Sequence, residues 1–512
     1  MSGTFGGILS IARSALRAQQ FAIEVASQNI ANAQTEGYTR TRAVLNPLPP
    51  RYTPQGVLGT GVAVTDVARV RDVLLDASYR REAAGAAMHE SRFTMLTRIE
   101  TLFAEPSDSS LGAALDRFSD AWNDLANSPA SVPARQVVVQ RGQQVAQWLN
   151  GADARITQFQ EETYTRLVEQ TDRMNQLFRQ IADLNAQIIP IEAGGATAGP
   201  LRDQRDRMLD ELATMAGAEA LENDDGSVNV VVAGQTMVDQ GQFKTFNPPG
   251  LVAGTVRLTI GNSNEPVTVR TGAVAGLLQA YNVDLPGIRT QLDTIATAVV
   301  HGVNRWHRTG YTAAGDALGL TGEAYDPATP AALRGSRVDF FASPAGTTPG
   351  TTPPVTARDI RLSDAVRADV NTVASGRGGW NGTAVVNQPG DNSIALAIAG
   401  LRTAATFPDD SDTGTTDPPV QTGLPGLSGR TIGDFWRSSV TELGLATSGA
   451  RADQEAGDAL RQQTDARRQS VAGVSIDEEL ISLSRAQQAY QAAARVISVV
   501  QELTADLIGI VR

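Results

Sequence analysis

The first thirty residues of the chain carry a large apolar residue at every seventh position. Leu9, Leu16, Ile23 and Ile30 hold this spacing without interruption. A seven-residue repeat lines up one stripe of an α-helix and favours left-handed supercoiling with a partner helix. Over residues 4–33, at about 1.5 Å rise per residue, it describes a rod of roughly 45 Å. The sequence therefore predicts an N-terminal helix whose stripe must be covered by other helices.

The other end of the chain repeats the pattern. Leu483, Tyr490 and Ile497 share one heptad phase, with Leu507 on the same broad apolar face, so residues 471–512 are predicted to form a second terminal helix. Full burial of each large side chain contributes about 1.5 to 3 kcal/mol. Ordering each residue costs about 1 to 2 kcal/mol. We expect the two ends to pair and neighbouring copies to cover them, although periodicity alone also fits ordinary bundle helices in a monomer.

Between the ends, the patterning changes along the chain. Apolar residues at helical spacing predict helices at residues 73–103, 110–126, 134–189, 201–215, 274–306 and 432–443, and, after a break, at 448–470. Alternation predicts strands at residues 62–67, 228–232, 255–260 and 266–270. Residues 309–429 are rich in Gly, Pro, Thr and Asp, which favours strands joined by loops.

These elements predict an α+β multidomain fold with terminal coiled-coil helices, a long helical bundle as inner domain and a β-rich outer domain inserted in the middle. The predicted divisions are a core helix and linker at 1–66, a bundle at 67–217 with 272–308 and 430–470, a β-rich domain at 218–271 and 309–429, either joined or split, and a core helix at 471–512.

The composition of the chain argues against nucleic-acid binding, cysteine chemistry and a membrane span. The chain has 43 basic and 55 acidic residues, and the resulting net charge of −12 disfavours binding to nucleic acid. It has no cysteine, which excludes disulfides and thiolate chemistry. No apolar run is long enough for a membrane span, and no cleavable signal peptide is apparent. An extracellular location would therefore require another export route.

The sequence carries no recognisable motif for catalysis or cofactor binding. His89, His301 and His307 lack the spacing of a helical metal pair, and the acidic turn at residues 223–226 lacks the remainder of a calcium loop. We expect no enzyme activity, no cofactor and no metal. A peptidoglycan hydrolase using paired carboxylates, such as Glu478 and Glu479, is the enzymatic alternative.

Two short signatures carry a resemblance to a known family. Residues 27–40 read SQNIANAQTEGYTR, and near the other end stand DEEL at 477–480 and QQAY at 487–490. Together they resemble the terminal signatures of flagellar rod, hook and hook-associated axial proteins. The residues that match are Asn29, Ile30, Asn32, Gly37, Tyr38, Thr39, Arg40, Gln487, Gln488 and Tyr490. The resemblance covers about the first 230 residues, residues 274–307 and the last 80, and residues 37–40 are most similar to the hook-associated members.

The resemblance implies a structural subunit of the bacterial flagellum at the junction between hook and filament. Its implied partners are further copies of itself in a ring, the hook protein, hook-associated protein 3 and an export chaperone on the C-terminal helix. The implied location is extracellular, after export through the flagellar type III channel. Other axial proteins (hook, distal rod or hook-associated protein 3) and a secreted coiled-coil adhesin are the alternatives.

The same resemblance suggests roles for particular residues. The seam residues Leu9, Leu16, Ile23, Ile30, Leu483, Tyr490, Ile497 and Leu507 are expected to contact neighbouring subunits. Gly37 is expected to permit a turn after the first helix. Asn29 and Asn32 carry amides that either bond along the array of copies or solvate the helix end.

Overall fold

Helices dominate the part of the chain that the structure describes. The structure is a computed structural model, and it describes residues 2–35, 37–53, 56–261, 265–312, 338–342, 354–377, 379–380, 385–386, 390–408 and 421–510. The helices are α1 (Ser2–Ala31), α2 (Val73–Phe103), α3 (Leu111–Asn127), α4 (Val132–Ala193), α5 (Gly199–Ala216), α6 (Ala273–Gln279), α7 (Leu285–Arg308), α8 (Asp364–Ala368), α9 (Ser393–Gly400), α10 (Ile432–Ala472) and α11 (Ile476–Ile510).

The strands form small antiparallel sheets. They are β1 (Thr41–Pro47), β2 (Arg51–Thr53), β3 (Gly56–Leu58), β4 (Val62–Arg69), β5 (Glu219–Glu222), β6 (Val228–Val232), β7 (Gln235–Asp239), β8 (Gln242–Phe243), β9 (Gly250–Val252), β10 (Thr255–Ile260), β11 (Glu265–Val267), β12 (Gly379–Trp380), β13 (Val385–Val386), β14 (Thr406–Pro408) and β15 (Gln421–Gly423). Strands β1 and β4 pair, as do β2 and β3. A four-stranded sheet has the order β5-β6-β7-β8, and a three-stranded sheet has the order β11-β10-β9.

The described chain divides into two units. The first comprises Met1–Ser91, Arg166–Leu278 and Ala452–Arg512, and the second comprises Arg92–Thr165 and Gln279–Arg451. The chain crosses from one to the other within α2, α4 and α10, and at the last residue of α6. Residues 218–271 belong to the first unit and 309–429 to the second. The domain boundaries drawn from the sequence stay a prediction.

In the first unit, the ribbon β1–β4 lies against α1, and α5 connects to the four-stranded sheet. Gly217 ends α5 in the left-handed conformation, at φ 64°, and its N–H donates to the Ala213 carbonyl, as is common at a helix C-terminus. Strand β6 then buries alternate valines, Val228, Val230 and Val232, on one face of the sheet.

The second unit has one large apolar core. Its centre is a group of aromatic rings, with Phe340 and Phe341 at 5.0 Å between centroids and Trp122 at 5.4 Å from Phe340. The core also takes in apolar residues of α3, α4, α7, α9 and α10. In the described part of residues 309–429, strands form the short ribbons β12–β13 and β14–β15, accompanied by the helices α8 and α9.

Two helix predictions need correction. The break predicted between residues 443 and 448 does not exist, since α10 runs through it; Leu443, Thr447 and Ala450 are buried on one helical face, and this burial outweighs the poor helix propensity of Gly444 and Gly449. The predicted helix at 274–306 is interrupted by a π-helical turn, Ala280–Asp284. Pro286 follows it and has no N–H to donate to a preceding carbonyl, so the wider turn accommodates the proline.

Candidate functional site: the junction of the chain termini

The two terminal helices pack against each other. The end of α1 lies beside the start of α11, so the pair is antiparallel. Within this pair the fully buried apolar residues are mostly small, namely Ala12, Ala18, Val25 and Ala26 on α1 and Ala486, Ala493 and Val500 on α11. Small side chains let helix axes approach closely. The buried residues of α11 are seven positions apart, like the predicted seam residues, but each lies three positions after one of them.

The predicted seam residues lie on the flanks of this contact. Leu9, Leu16, Ile23, Ile30, Leu483 and Ile497 are half-buried, Tyr490 is 38% exposed, and the side chain of Leu507 lies outside the described residues. Further apolar side chains are exposed beside them: Ile8, Ile11 and Phe21 on α1, and Ile476, Leu480, Ile481, Val496, Val499 and Leu503 on α11. A single chain therefore leaves a long apolar surface uncovered, as expected of an interaction surface. Their role in subunit contacts stays a prediction.

A buried asparagine connects the two ends of the chain. Asn29, 1% exposed, donates from Nδ2 to the Thr41 carbonyl (2.8 Å) and to Oε2 of Glu479 (3.1 Å). Its Oδ1 accepts from the Tyr38 hydroxyl (2.9 Å) and from the Thr41 N–H (3.1 Å). Burial raises the pKa of Tyr38, so its hydroxyl remains a donor. We call Asn29, Tyr38, Arg40, Thr41 and Glu479 the terminal clasp.

Arg40 completes the clasp from the side of the first strand. Its Nε donates to Oε1 of Glu479 (2.7 Å), and its terminal nitrogen donates to Oε2 of Glu478 (2.8 Å). Its backbone N–H donates to the Ala472 carbonyl at the end of α10 (3.0 Å). One residue of the N-terminal signature thus holds two residues of the C-terminal signature. Both carboxylates of the pair Glu478–Glu479, on which the hydrolase alternative would depend, bind Arg40 here.

The turn before the clasp depends on Gly37. Its φ is +75°, in the left-handed region that residues with a side chain rarely adopt. A Cβ atom at this position would also run into the aliphatic part of Arg207. A residue other than glycine would therefore displace Tyr38 and Arg40 from the clasp.

The other signature residues have local or exposed positions. Asn32 donates from Nδ2 to the Gln28 carbonyl (3.0 Å), within its own helix end. Ile30 is half-buried, whereas Gln487 and Gln488 are exposed on α11. The two asparagines therefore differ: Asn32 satisfies the helix end, and Asn29 bonds across the chain rather than to solvent.

A charge cluster lies next to the clasp. It consists of Arg69, Arg71, Arg80 and Arg468 with Asp76, Asp203, Asp206 and Asp210. Asp203 links it to the clasp, because its Oδ2 accepts the Thr39 N–H (3.2 Å) while its Oδ1 lies 2.8 Å from Arg69. The Asp210 carboxylate accepts a hydrogen bond from Nε of Arg80 (2.7 Å) and another from a terminal nitrogen of Arg468 (2.6 Å). The cluster joins β4, α2, α5 and α10.

Asp206 is the centre of this cluster. Burial alone would raise the pKa of its carboxyl, but the guanidinium groups of Arg71, Arg69 and Arg80 outweigh burial and hold the pKa of Asp206 below its usual range. It forms short ion pairs with Arg69 and Arg71. Loss of this carboxylate would leave Arg69, Arg71 and Arg80 with one carboxylate partner each, namely Asp203, Asp76 and Asp210.

Sequence reasoning found the clasp residues as a signature but not their contacts, and it missed the charge cluster. The signal was present, since Asp203, Asp206 and Asp210 lie three and four residues apart and therefore share one face of a helix. Their partners lie 126 to 258 residues away in the sequence, which helical spacing does not reveal.

The buried His307 has structural partners within the second unit. Burial lowers the pKa of His307 to about 4. Its Nδ1 lies 2.6 Å from the Val338 carbonyl and its Nε2 accepts the Ala374 N–H at 3.0 Å. No three acidic or histidine side chains in the described chain are grouped as metal ligands. None of the described helices is long and apolar enough to cross a bilayer.

Comparisons with known proteins agree with this arrangement. Residues 96–321 match the family model for the flagellar hook-associated protein FlgK helical domain. Residues 9–39 match the flagella basal body rod protein model, and residues 468–510 match the C-terminal model of flagellar basal body rod FlgEFG proteins. Flagellar hook-associated protein 1 of Bacillus subtilis is 27% identical, with 99% of both chains covered. The Escherichia coli protein of the same name is 25% identical, with 98% of this chain and 99% of that one covered.

Over nearly its whole length, the chain is similar to flagellar hook-associated protein 1. The matches to the rod-protein models contain residues 9–31 of α1 and the whole of α11. The clasp residues Asn29, Tyr38 and Glu479 also lie in them, so both halves of the terminal junction match flagellar rod-protein segments. The resemblance drawn from the two signatures is confirmed. These matches identify the chain as a structural component of the bacterial flagellum.

A solved structure supports the fold. The flagellar hook junction protein FlgK from Burkholderia pseudomallei superimposes with a TM-score of 0.57, at 15% identity, over 77% of this chain and 100% of that one. The predicted fold class, α+β with long terminal helices and β elements in the middle of the chain, is confirmed.

Proposed function

We propose that this chain is the junction subunit between hook and filament, which polymerises through α1 and α11 and connects the two structures. The observation that carries the proposal is the terminal junction: one chain pairs its two end helices through the clasp and leaves apolar side chains uncovered along both of them. Neighbouring subunits would cover that surface. We further propose that its partners are copies of itself in a ring, the hook protein and hook-associated protein 3.

The proposal includes a route and a location. We propose that the chain reaches the growing tip through the flagellar type III channel, with a chaperone protecting α11 in the cytoplasm, and that the terminal helices then lie at the flagellar axis. The exposed leucines and valines of α11 support the need for protection, since an uncovered apolar helix favours aggregation before assembly. The proposed role is structural and involves no catalysis.

Deleting the gene in its host tests the proposed function. The expected result, by electron microscopy, is hooks without filaments, with flagellin released into the medium. Restoring the full-length gene should restore filaments, whereas a gene lacking its last 35 or so codons should not. Intact filaments in the deletion strain would refute the junction role and favour the adhesin alternative.

Loss of hooks as well as filaments would instead place the chain earlier in the axis, as a rod or hook component. Immunogold labelling of the wild-type flagellum distinguishes the remaining axial positions. Label confined to the hook–filament boundary is expected. Label along the whole hook would contradict the proposal.

A further inference from the structure

Two exposed arginines lie on the N-terminal half of α1. Arg13 and Arg17 stand one helical turn apart, both exposed. They are flanked by the exposed apolar residues Ile8 and Ile11. Within the part of the chain that the structure describes, neither guanidinium group has an ion pair or hydrogen bond.

Two exposed carboxylates lie near the end of α11. Glu502 and Asp506 are also one turn apart, and Val499 and Leu503 are exposed between and beside them. Among the described residues, these carboxylates too are without a partner. Because α1 and α11 are antiparallel, both patches belong to the same end of the helix pair, remote from the clasp.

The two helices carry opposite charge. Helix α1 has two arginines and one glutamate, whereas α11 has five carboxylates and two arginines. The chain as a whole has a net charge of −12, so copies repel one another over most of their surface. The basic patch on α1 is therefore a place where the acidic patch of another copy is attracted, with exposed apolar residues on both sides to be buried.

We propose that Arg13 and Arg17 of one copy pair with Glu502 and Asp506 of the next copy, and that this contact sets the register of subunits in the ring. The inference rests on the proposed function, in which copies polymerise through these helices. The contact is heterologous, since two different surfaces meet, and such contacts repeat around a ring. Charge complementarity then selects one register, because a shifted neighbour would place like charges together.

Charge reversal in a deletion strain tests the pairing. One variant carries Arg13→Glu and Arg17→Glu, and the other carries Glu502→Arg and Asp506→Arg. Each alone is expected to give at least about tenfold fewer filamented cells, because like charges then face each other. Expressed together, the two variants can form mixed contacts that again join opposite charges, and filaments are expected to return.

The mixed strain distinguishes contacts between copies from contacts within one chain. If the charges paired only within a chain, both variants would remain defective and mixing would not rescue them, which would overturn the proposal. Normal filaments with either variant alone would also overturn it. The proposed function would still stand in both cases if the apolar variant Leu503→Asp blocked filament growth.

Crosslinking provides a second measurement that does not depend on charge reversal or on its effect on export. The chain has no cysteine, so introduced thiols report single contacts. Copies with Arg17→Cys are expressed together with copies with Asp506→Cys, and the isolated hook structures are oxidised. A disulfide-linked species of twice the 54.0 kDa chain mass is expected only in the mixed strain. Its absence, or a crosslink to a different protein, would overturn the proposal.

Discussion

Asn29 donates its side-chain N–H to the carboxylate of Glu479 across 3.1 Å, although 450 residues separate them in the sequence. The contact is buried, and both residues also bond to the strand segment that follows the first helix. The relative position of α1 and α11 is therefore fixed by specific polar contacts as well as by apolar packing.

Replacement of Asn29 by Ala should loosen the terminal helix pair. It leaves the buried Glu479 carboxylate and the Thr41 backbone with fewer partners, which we expect to cost about 1 to 3 kcal/mol. Hydrogen exchange measured by mass spectrometry should speed up in α1 and α11 and stay unchanged in the second unit. Asn32→Ala is the matched control, since Asn32 bonds within its own helix end, and equal effects from both variants would contradict the role of the clasp.

Replacement of Leu503 by Asp should block assembly without unfolding the chain. Leu503 is 47% exposed in a single chain, so the new charge costs little there, but it would be buried where copies meet. We expect soluble protein with unchanged circular dichroism and loss of filaments. Leu251→Asp is the control, because Leu251 is 75% exposed on β9 in the same unit, away from the terminal helices. Loss of filaments with Leu251→Asp alone would refute the assignment of the assembly surface to α11.

Replacement of Asp206 by Asn should destabilise the first unit by about 3 to 5 kcal/mol, because it removes the shared partner of buried guanidinium groups. Urea denaturation measures this loss. In the unaltered chain, the pKa of Asp206 is below its unfolded value, so its stabilising effect is present above the unfolded pKa and is lost as pH falls through the folded one. Glu211→Gln, which breaks an exposed pair with Arg173, should cost less than about 1 kcal/mol. Similar costs for both variants would show that the charge cluster has no special role.

The second unit should lose stability in mild acid because of His307. Its pKa is about 4 in the folded chain, below the unfolded value of about 6.5, so between these pH values the unfolded state binds more protons. Stability should therefore fall by up to about 3 kcal/mol as pH decreases from 6.5 to 4, at about 1.4 kcal/mol per pKa unit. Tryptophan fluorescence during urea unfolding reports this loss, since Trp122 lies 6.4 Å from the His307 ring. His307→Gln should flatten the pH dependence over this range, and an unchanged slope would contradict the assignment to His307.

Local patterning predicted the helices well because their apolar faces are also their buried faces. The long α4 and the terminal helices follow from spacing alone. The exact contact between α1 and α11 does not, because Leu and Ile mark the broad apolar face while the close approach is made by Ala486 and Ala493 three positions away. The ribbon β1–β4 was predicted only in its second strand, since β1 has little alternation and its pairing depends on residues 15 to 28 positions later.

In the charge cluster, too, residues close in the sequence could be predicted to lie together, whereas their distant partners could not. The aspartates of α5 share a helical face and are visible in the sequence, whereas Arg69 and Arg468 reach them from opposite ends of the chain. The break predicted in α10 failed for a related reason, because the burial of Leu443 and Ala450 is decided by the core of the second unit rather than by neighbouring residues.

The terminal clasp also makes the fold sensitive to whether a subunit is complete. Asn29 and Arg40 are synthesised 438 to 450 residues before their partners Glu478 and Glu479, so a chain that stops before these carboxylates cannot close the clasp. Such a fragment would keep an arginine and a buried amide without their carboxylate and expose the whole inner face of α1. A truncated chain is therefore expected to lack the paired end helices on which the proposed assembly depends.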